Sequence, residues 1–313
     1  MAQTVSFDDL LKGDKITLAA ALARIESNPH DDATVRLLTR AFEHPRGHVV
    51  GITGPPGVGK STLLGKLIEK LRAGERTVGV IAVDPSSKRT GGALLGDRIR
   101  LATDPEDKGV FVRSMAARDR LGGLAEITVS AMILMRAIYD VVLIETVGVG
   151  QSETDVEGAA DTIVFCVQPG SGDSLQFMKA GIVEIPDIVV ITKSDMEAAA
   201  NQARSDIRGA IKVTGAMSGS GMLEGWETKV LSVAALHGRG LEDLASALDA
   251  HRVFLEAEGR LGRRRHAQAE AWLAAAVRER FGRDGLERAG PLTLESGASP
   301  FAKLAAVGKT LAR

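Results

Sequence analysis

The chain has 313 residues, a formal net charge of −1 and 44% hydrophobic residues, values that are typical of a globular protein with a sizeable core. The near-neutral charge argues against non-specific nucleic-acid binding, which needs a surplus of basic residues, so no nucleic-acid partner is expected. A single cysteine, Cys166, excludes a disulfide within the chain. Since no run approaches the about 18 apolar residues of a membrane span or resembles a signal peptide, we expect a cytoplasmic protein with no membrane partner.

Two helices are predicted before the first strand. Apolar residues at helical spacing predict helices over Ile16–Ser27 and Asp32–Phe42. We expect residues 1–45 to form a helical extension of the domain that follows.

Strand and helix signals alternate over residues 46–240, the pattern of a mostly parallel sheet in an α/β domain. Most of the strands are continuous apolar runs, as expected where helices cover both faces of a sheet. The predicted strands are Val49–Thr53, Val78–Val83, Val110–Arg113, Val141–Glu145, Thr162–Val167, Ile188–Thr192 and Val230–Val233.

Residues 241–313 are predicted to be helical. Leu241–Glu258 and Arg263–Phe281 form a helical hairpin joined by Gly259–Gly262, which we interpret as an arm for self-association, and a short final helix follows Pro300. The basic run Arg263-Arg-Arg-His266 opens the second helix and is interpreted as a solvated face.

The run Gly54-Pro-Pro-Gly-Val-Gly-Lys-Ser-Thr62 matches G-x-x-x-x-G-K-[ST] between a predicted strand and a helical stripe of leucines. The glycines let backbone N–H groups turn inward around phosphates, and the helix N-terminus adds a favourable partial charge. Lys60 is predicted to reach the β- and γ-phosphates, and the Ser61 hydroxyl to bind Mg²⁺. The predicted nucleotide-binding residues here are Gly54, Pro55, Pro56, Gly57, Val58, Gly59, Lys60, Ser61 and Thr62.

Acidic residues end two of the predicted strands. Glu145 ends the strand in Asp140-Val-Val-Leu-Ile-Glu-Thr-Val-Gly148, and Asp84 follows Val83. Because such strand ends face the P-loop in open α/β sheets, we expect Glu145 to act on Mg²⁺ or its waters, and Asp84 is a second candidate. Gly148 is predicted to donate its N–H to the γ-phosphate. Asp97 is a third candidate acid, although it is equally suited to cap a helix.

The turn Thr192-Lys-Ser-Asp195 fits N/T-K-x-D, the signature of guanine recognition. An ionised Asp195 accepts hydrogen bonds only, which suits the adjacent N–H donors of guanine and leaves the carboxylate unpaired against adenine. Lys193 is predicted to lay its aliphatic stem against the base. In the later loop Leu231–Gly240, Val233, Ala234 and Ala235 are predicted to contact the nucleotide, and the backbone N–H groups of Ala234 and Ala235 are predicted to be available to the guanine oxygen. GTP is therefore favoured over ATP.

Residues 1–313 resemble the MeaB/ArgK family of P-loop GTPases, whose metazoan relative is MMAA. The resemblance implies a SIMIBI-type P-loop GTPase fold and an Mg²⁺ group of Ser61, Asp84, Asp97 and Glu145. It also implies slow GTP hydrolysis, a homodimer, and a partner, adenosylcobalamin-dependent methylmalonyl-CoA mutase, whose cofactor loading the family gates and which it protects. The resemblance is carried by Gly54–Thr62, Val83–Ser87, Thr90–Gly92, Leu95–Asp97, Glu145–Gln151 and Gly172–Ile182.

For hydrolysis we expect water to attack the γ-phosphate, with Lys60, Mg²⁺ and the loop N–H groups neutralising charge. Glu145 and Gln151 are the other candidate catalytic residues; Gln151 either orients the water or is a polar residue beside a hinge. Three alternatives stay open. A nickel-inserting maturation GTPase would carry Cys or His clusters, which the sequence lacks. A kinase for a small molecule or protein would need an acceptor pocket and a lid. A binding module would use GTP only to fix a conformation.

Overall fold

The structure is a computed structural model that describes residues 5–12, 14–85, 104, 106–117, 126–146, 156–170, 186–217 and 225–311. The side chains of residues 84, 85, 116, 117 and 213–217 are not part of that description.

In this part of the chain, seven parallel strands form one sheet in the order β3-β2-β4-β1-β5-β6-β7. The predicted mostly parallel α/β sheet is confirmed. β2 and β3 run further than predicted, because their pairing continues in register to Pro85 and Ala117, whereas β6 and β7 end one residue earlier than predicted. The strands are β1 (His48–Thr53), β2 (Val78–Pro85), β3 (Val110–Ala117), β4 (Val141–Glu145), β5 (Thr162–Val167), β6 (Ile188–Ile191) and β7 (Lys229–Ser232).

The predicted N-terminal helices are present, and each has an aspartate cap. Asp14 accepts from the amides of Ile16 and Thr17, and Asp31 accepts from the amide of Thr34 over 2.6 Å. None of the described helices has the length and apolar character needed to cross a membrane. The described helices are α1 (Phe7–Leu11), α2 (Lys15–Ser27), α3 (Asp32–Glu43), α4 (Lys60–Ala73), α5 (Glu126–Ile138), α6 (Glu197–Met217), α7 (Leu241–Glu256), α8 (Arg260–Ala289) and α9 (Pro300–Leu311).

Helices cover both faces of the sheet. In β1, Val49 packs with α2, α3 and α5 on one face, while Val50 and Ile52 pack with α4 and α7 on the other. The same alternation holds along β4, where Val142 and Val141 belong to opposite clusters. Burial on both faces explains why these strands read as continuous apolar runs in the sequence.

The C-terminal hairpin differs from its prediction at the connection. α7 ends at Glu256 rather than Glu258, and a short 3₁₀ turn, Ala257–Gly259, follows it. α8 begins at Arg260 rather than Arg263, so most of the predicted loop Gly259–Gly262 is helical. Gly259 has φ 68°, a left-handed conformation that glycine adopts at little cost, so the chain reverses there and Gly262 continues inside the helix. α8 runs beyond the predicted end at Phe281, with a break at Gly282.

The interpretation of the basic run as a solvated face is wrong for two of its arginines. Arg265 holds both carboxylate oxygens of Asp161, at 2.8 and 2.6 Å, and also donates to the Gly47 carbonyl oxygen. Arg264 lies 3.5 Å from a carboxylate oxygen of Asp187. Only Arg263 in this group is exposed. Arg264 and Arg265 therefore attach α8 to the end of the sheet at which β5 and β6 start.

Two buried histidines lie at the same end of the sheet. His48 and His251 both share the Thr162 hydroxyl, at 2.6 and 2.7 Å. Burial lowers the pKa of His48 to about 4 and the pKa of His251 to about 3. Burial opposes ionisation of Asp161 as well, but the Arg265 guanidinium prevails and the pKa of Asp161 falls to about 2. At this end of the sheet the neutral imidazoles of His48 and His251 therefore lie beside the Arg265–Asp161 ion pair.

Cys166 lies inside β5 with no exposed surface. Burial raises the pKa of its thiol to about 12, so the thiolate is strongly disfavoured. Cys166 therefore has a structural role.

Candidate nucleotide-binding site

The P-loop sequence connects β1, the central strand of the sheet, to α4. Its glycines at 54, 57 and 59 have φ values of 135°, 77° and 97°, in the region that side-chain-bearing residues rarely adopt. A Cβ on Gly54 would lie 2.2 Å from the carbonyl oxygen of Cys166. The start of the loop therefore passes so close to β5 that only glycine fits there.

Lys60 is the first residue of α4 and is 7% exposed. Its Nζ donates to the carbonyl oxygens of Gly54 and Pro55 at 2.8 and 3.0 Å. Val58, 1% exposed, anchors the middle of the loop in the core beside α4. The loop thereby places a buried ammonium beside the N-terminus of a 14-residue helix, where the first amides have no partner within the helix. This is the chemistry that a polyphosphate requires.

Ser61 and Glu145 meet across the edge where β1 and β4 end. The Ser61 hydroxyl donates to Glu145 Oε1 over 2.6 Å, and Glu145 is 7% exposed. The strand register sets this contact, since Glu145 pairs with Ile52, close to the start of the P-loop. Thr146 fixes the strand ends further by donating from its hydroxyl to the Thr53 hydroxyl at 3.0 Å.

This pair fits the Mg²⁺ site that was predicted. A hydroxyl and a carboxylate are the oxygen ligands that Mg²⁺ prefers, with waters completing the shell. Asp84 is in β2, two residues after Ala82, which pairs with Glu145, so the backbone leads it past the same edge. The Asp84 side chain, together with Asp97, Gly148 and Gln151, lies outside the described part of the structure, and the roles given to these residues stay predictions.

The predicted base-recognition turn touches the P-loop directly. Lys193, with φ 51°, donates from Nζ to the Gly57 carbonyl oxygen at 2.9 Å and to Gln168 Oε1 at 2.6 Å. The buried Thr192 hydroxyl contacts the carbonyl oxygens of Val58 and Val167 at 2.6 and 2.9 Å. The turn and the phosphate loop are therefore hydrogen-bonded to each other, and Asp195 in the turn is exposed.

Sequence reasoning missed two of these contacts. Gln168, the first residue after β5, was not singled out, although its position beside the end of β6 follows from the strand order. The hydrogen bonds from the Thr192 hydroxyl to the P-loop and to the end of β5 were also missed. Its place in the N/T-K-x-D pattern was the available signal, because Asn and Thr share a short polar side chain that can bond a neighbouring loop.

The loop after β7 joins the same assembly. The Val233 amide donates to the Ile191 carbonyl oxygen at 2.8 Å, and the Ser194 amide donates to the Val233 carbonyl oxygen at 3.3 Å. The Ala234 amide donates to the Arg239 carbonyl oxygen at 3.0 Å, contrary to the prediction that it is open to guanine. Ala235 opens a 3₁₀ turn, where amides lack partners within the helix. Of these two amides, Ala235 is the better suited to a guanine oxygen.

Residues 18–287 match the sequence profile of the family described as methylmalonyl Co-A mutase-associated GTPase MeaB. The chain belongs to the MeaB family of GTPases. The match extends from α2 into α8 and includes every described loop of the site. The family expected from the motifs is thus confirmed.

Individual relatives agree with the family. A Pyrococcus horikoshii protein named as a GTPase is 42% identical over 271 residues, which cover 83% of this chain and 81% of the relative. The methylmalonic aciduria type A homolog, mitochondrial, of Mus musculus is 34% identical over 289 residues, covering 87% of this chain and 68% of the relative. Among solved structures, the crystal structure of an LAO/AO transport system kinase has a TM-score of 0.66 at 26% identity, covering 98% of this chain and 96% of that one.

Proposed function

We propose that this MeaB-family protein binds GTP and hydrolyses it slowly, as a switch that gates adenosylcobalamin loading of methylmalonyl-CoA mutase and protects that enzyme. GTP binding is supported by the direct contact between the phosphate loop and the base-recognition turn. Lys193 Nζ, in the turn, donates to the Gly57 carbonyl oxygen of the loop at 2.9 Å. The partner is supported by the description of the family as mutase-associated.

In the proposed reaction the chain contributes positioning and charge. Lys60 and the P-loop amides hold the β- and γ-phosphates and stabilise the negative charge that develops on the equatorial oxygens. Ser61 and Glu145 would hold Mg²⁺ together with Asp84 or Asp97. When bound, Mg²⁺ would supply neutralisation of the phosphate charge. Asp195 selects guanine, and the amide of Ala235 donates to the guanine oxygen.

Gln151 is the proposed residue that orients the attacking water. Gln151→Ala should lower the rate of GTP hydrolysis while leaving GDP affinity unchanged, as measured by phosphate release and calorimetry. A variant that hydrolyses GTP at the parental rate, both alone and with the mutase, removes Gln151 from this role.

The arrangement of the chain is also part of the proposal. Residues 1–45 form an N-terminal helical extension, residues 46–240 the GTPase domain, and residues 241–313 an arm through which two copies associate. Sedimentation of the full chain and of Arg263→Glu, a change on the exposed side of α8, tests the arm. A monomeric wild-type chain at micromolar concentration would contradict the homodimer.

The decisive experiment combines turnover with partner binding. Multiple-turnover phosphate release from GTP should be slow for the chain alone and faster when a cobalamin-dependent mutase is added. Affinity capture of the mutase should depend on whether GTP or GDP is supplied. Equal capture with both nucleotides and an unchanged rate would refute the switch, while leaving nucleotide binding intact.

One alternative has a specific observation in its favour, because one of the similar solved structures is described as an LAO/AO transport system kinase. A kinase passes the γ-phosphate to an acceptor, whereas a GTPase releases it to water. Incubation with γ-labelled GTP distinguishes them, since all of the label should appear as inorganic phosphate.

A further inference from the structure

A cleft on the face of the sheet opposite α4 contains a buried cation. It lies between α3, α5, α8 and the start of α9, and measures about 320 Å³ when its open mouth is included. The walls are mainly apolar, and the residues that matter here are Phe42, Arg136, Arg265, Gln268, Trp272 and Phe301.

Arg136 is the unusual member of this wall. It is 3% exposed, and within the described residues no carboxylate forms an ion pair with it. Its Nε has no hydrogen-bond partner in that part of the chain. The guanidinium carbon lies 5.8 Å from the centroid of the Phe42 ring. One ring face offsets only a small part of the cost of burying a guanidinium, so the charge is left under-compensated.

The neighbouring charges do not cancel it. Arg265 also lines the cleft, but its guanidinium is saturated by both oxygens of Asp161 and by the Gly47 carbonyl oxygen. Asp161 is thus already neutralised by Arg265. The two arginines and the one aspartate leave a net charge of +1 beside an apolar wall.

Aromatic rings line the cleft together with Arg136. Trp272 and Phe301 pack with their ring centroids 4.7 Å apart, and both line the cleft. Gln268 is held in place because its Nε2 donates to the carbonyl oxygens of Glu157 and Ala160 at 2.7 and 2.8 Å. A guanidinium in an apolar, preorganised setting is the usual receptor for a carboxylate.

We propose that this cleft binds a small organic monocarboxylate, whose head pairs with Arg136 and whose short aliphatic tail lies against Trp272 and Phe301. The single net positive charge sets the charge of the ligand, the volume of about 320 Å³ limits its size, and the aromatic rings in the lining accept the tail. The site is separate from the nucleotide site, and the proposal does not rest on GTP hydrolysis.

The first test compares a charged probe with a neutral one of the same shape. Sodium butyrate and butyramide are titrated into the full chain by calorimetry, at constant ionic strength. Saturable butyrate binding at least about tenfold tighter than butyramide binding is expected, because only the carboxylate pairs with the guanidinium. Equal affinity for the two, or no saturable binding below about 10 mM, would overturn the proposal.

A second readout reports the location of the ligand. The chain has two tryptophans, so Trp226→Phe leaves Trp272 as the sole indole fluorophore. Butyrate should change the Trp272 emission with the same affinity as in calorimetry. From acetate to pentanoate the affinity should rise by about two- to fourfold per methylene, as the tail covers the aromatic wall. An affinity independent of tail length would contradict the predicted placement.

The variant test uses two arginines. Arg136→Met keeps a flexible unbranched side chain and removes the guanidinium, and Arg36→Met makes the same change at an exposed site on α3. Butyrate affinity should fall about tenfold or more in the first and stay unchanged in the second, while both bind GDP as the wild type does. Undiminished butyrate binding by Arg136→Met would overturn the proposal. The comparison of butyrate with butyramide on the unaltered chain decides the matter even if that variant does not fold.

Discussion

The Ser61 hydroxyl and Glu145 Oε1 are 2.6 Å apart, joining the first turn of α4 to the end of β4. Glu145→Gln preserves shape and removes the charge that would attract Mg²⁺. The gain in affinity for a non-hydrolysable GTP analogue on adding Mg²⁺, relative to EDTA, should shrink by about tenfold. Calorimetry measures both affinities. Glu69→Gln, on the exposed side of α4, is the matched control and should keep the full gain; an unchanged gain in Glu145→Gln would count against this metal site.

Lys60→Ala should weaken GDP binding by about 10- to 100-fold, since a charge-assisted contact to phosphate is lost. The far-ultraviolet circular dichroism should not change, because Lys60 Nζ donates to the carbonyl oxygens of Gly54 and Pro55 in its own loop. The matched control is Lys66→Ala, whose ammonium instead pairs with Glu69 on the surface. Unchanged GDP binding by calorimetry would refute the phosphate assignment.

Asp195→Asn should change which base is bound. Guanine presents two N–H donors to the carboxylate, whereas xanthine presents a carbonyl oxygen at one of these positions, which suits an amide N–H. We expect GDP affinity to fall about 10- to 100-fold and xanthosine diphosphate to become the better ligand. Competition against a fluorescent nucleotide measures both. Asp243→Asn, exposed on α7, should behave as the wild type; loss of both nucleotides together would mean that the turn has only a structural role.

Stability should fall as the pH is lowered from 6.5 towards 4. The ordinary pKa of histidine is 6.5, and in the folded chain the pKa values of His48 and His251 are about 4 and 3. In this window the unfolded chain therefore binds protons that the folded chain does not. Each histidine accordingly contributes a slope of up to about 1.4 kcal/mol per pH unit.

Urea unfolding at a series of pH values measures that slope. His48→Gln should flatten it by roughly the share of one histidine, while His237→Gln, at an exposed position, should leave it intact. If both variants give the parental curve, burial of His48 does not control the acid sensitivity.

Arg265→Met should destabilise the fold strongly, by about 3 to 5 kcal/mol, because it leaves the fully buried Asp161 without its partner. The control is Arg263→Met, because Arg263 is two residues earlier in the sequence and is exposed. It should change the free energy of unfolding by less than about 0.5 kcal/mol. Denaturant titration at pH 7 compares them. Similar stabilities would mean that the Asp161 pair does not fasten α8.

The sheet and the local motifs were predictable because each is specified by neighbouring residues. The apolar runs of β1, β4, β5 and β6 identify strands buried on both faces, and all four are fully buried. The P-loop likewise has its chemistry in nine consecutive residues, Gly54 to Thr62. Phosphate binding by backbone amides requires the spacing of glycines, Lys and Ser in this motif, so the sequence alone predicts the phosphate loop.

Contacts between distant residues were not predictable. Arg265 and Asp161 are 104 positions apart, and nothing local distinguishes a paired arginine from a solvated one. Lys193 and Gln168 are 25 apart and meet only because β5 and β6 are neighbours. At Gly259 and Gly262 the difficulty was different, because either glycine can end a helix and only the reversal of the chain shows which one does.

The strand order also constrains when the site can come into existence. β1 has β4 and β5 as neighbours, and the paired hydroxyls of Thr53 and Thr146 are 93 positions apart. Such distant pairings form slowly and late in folding. A nascent chain that has reached residue 140 carries the whole phosphate motif but neither neighbour of the strand that presents it. Guanine nucleotide should therefore associate only with a polypeptide that extends at least through Val167, the end of β5, so retention of GDP can report that a growing chain has passed this point.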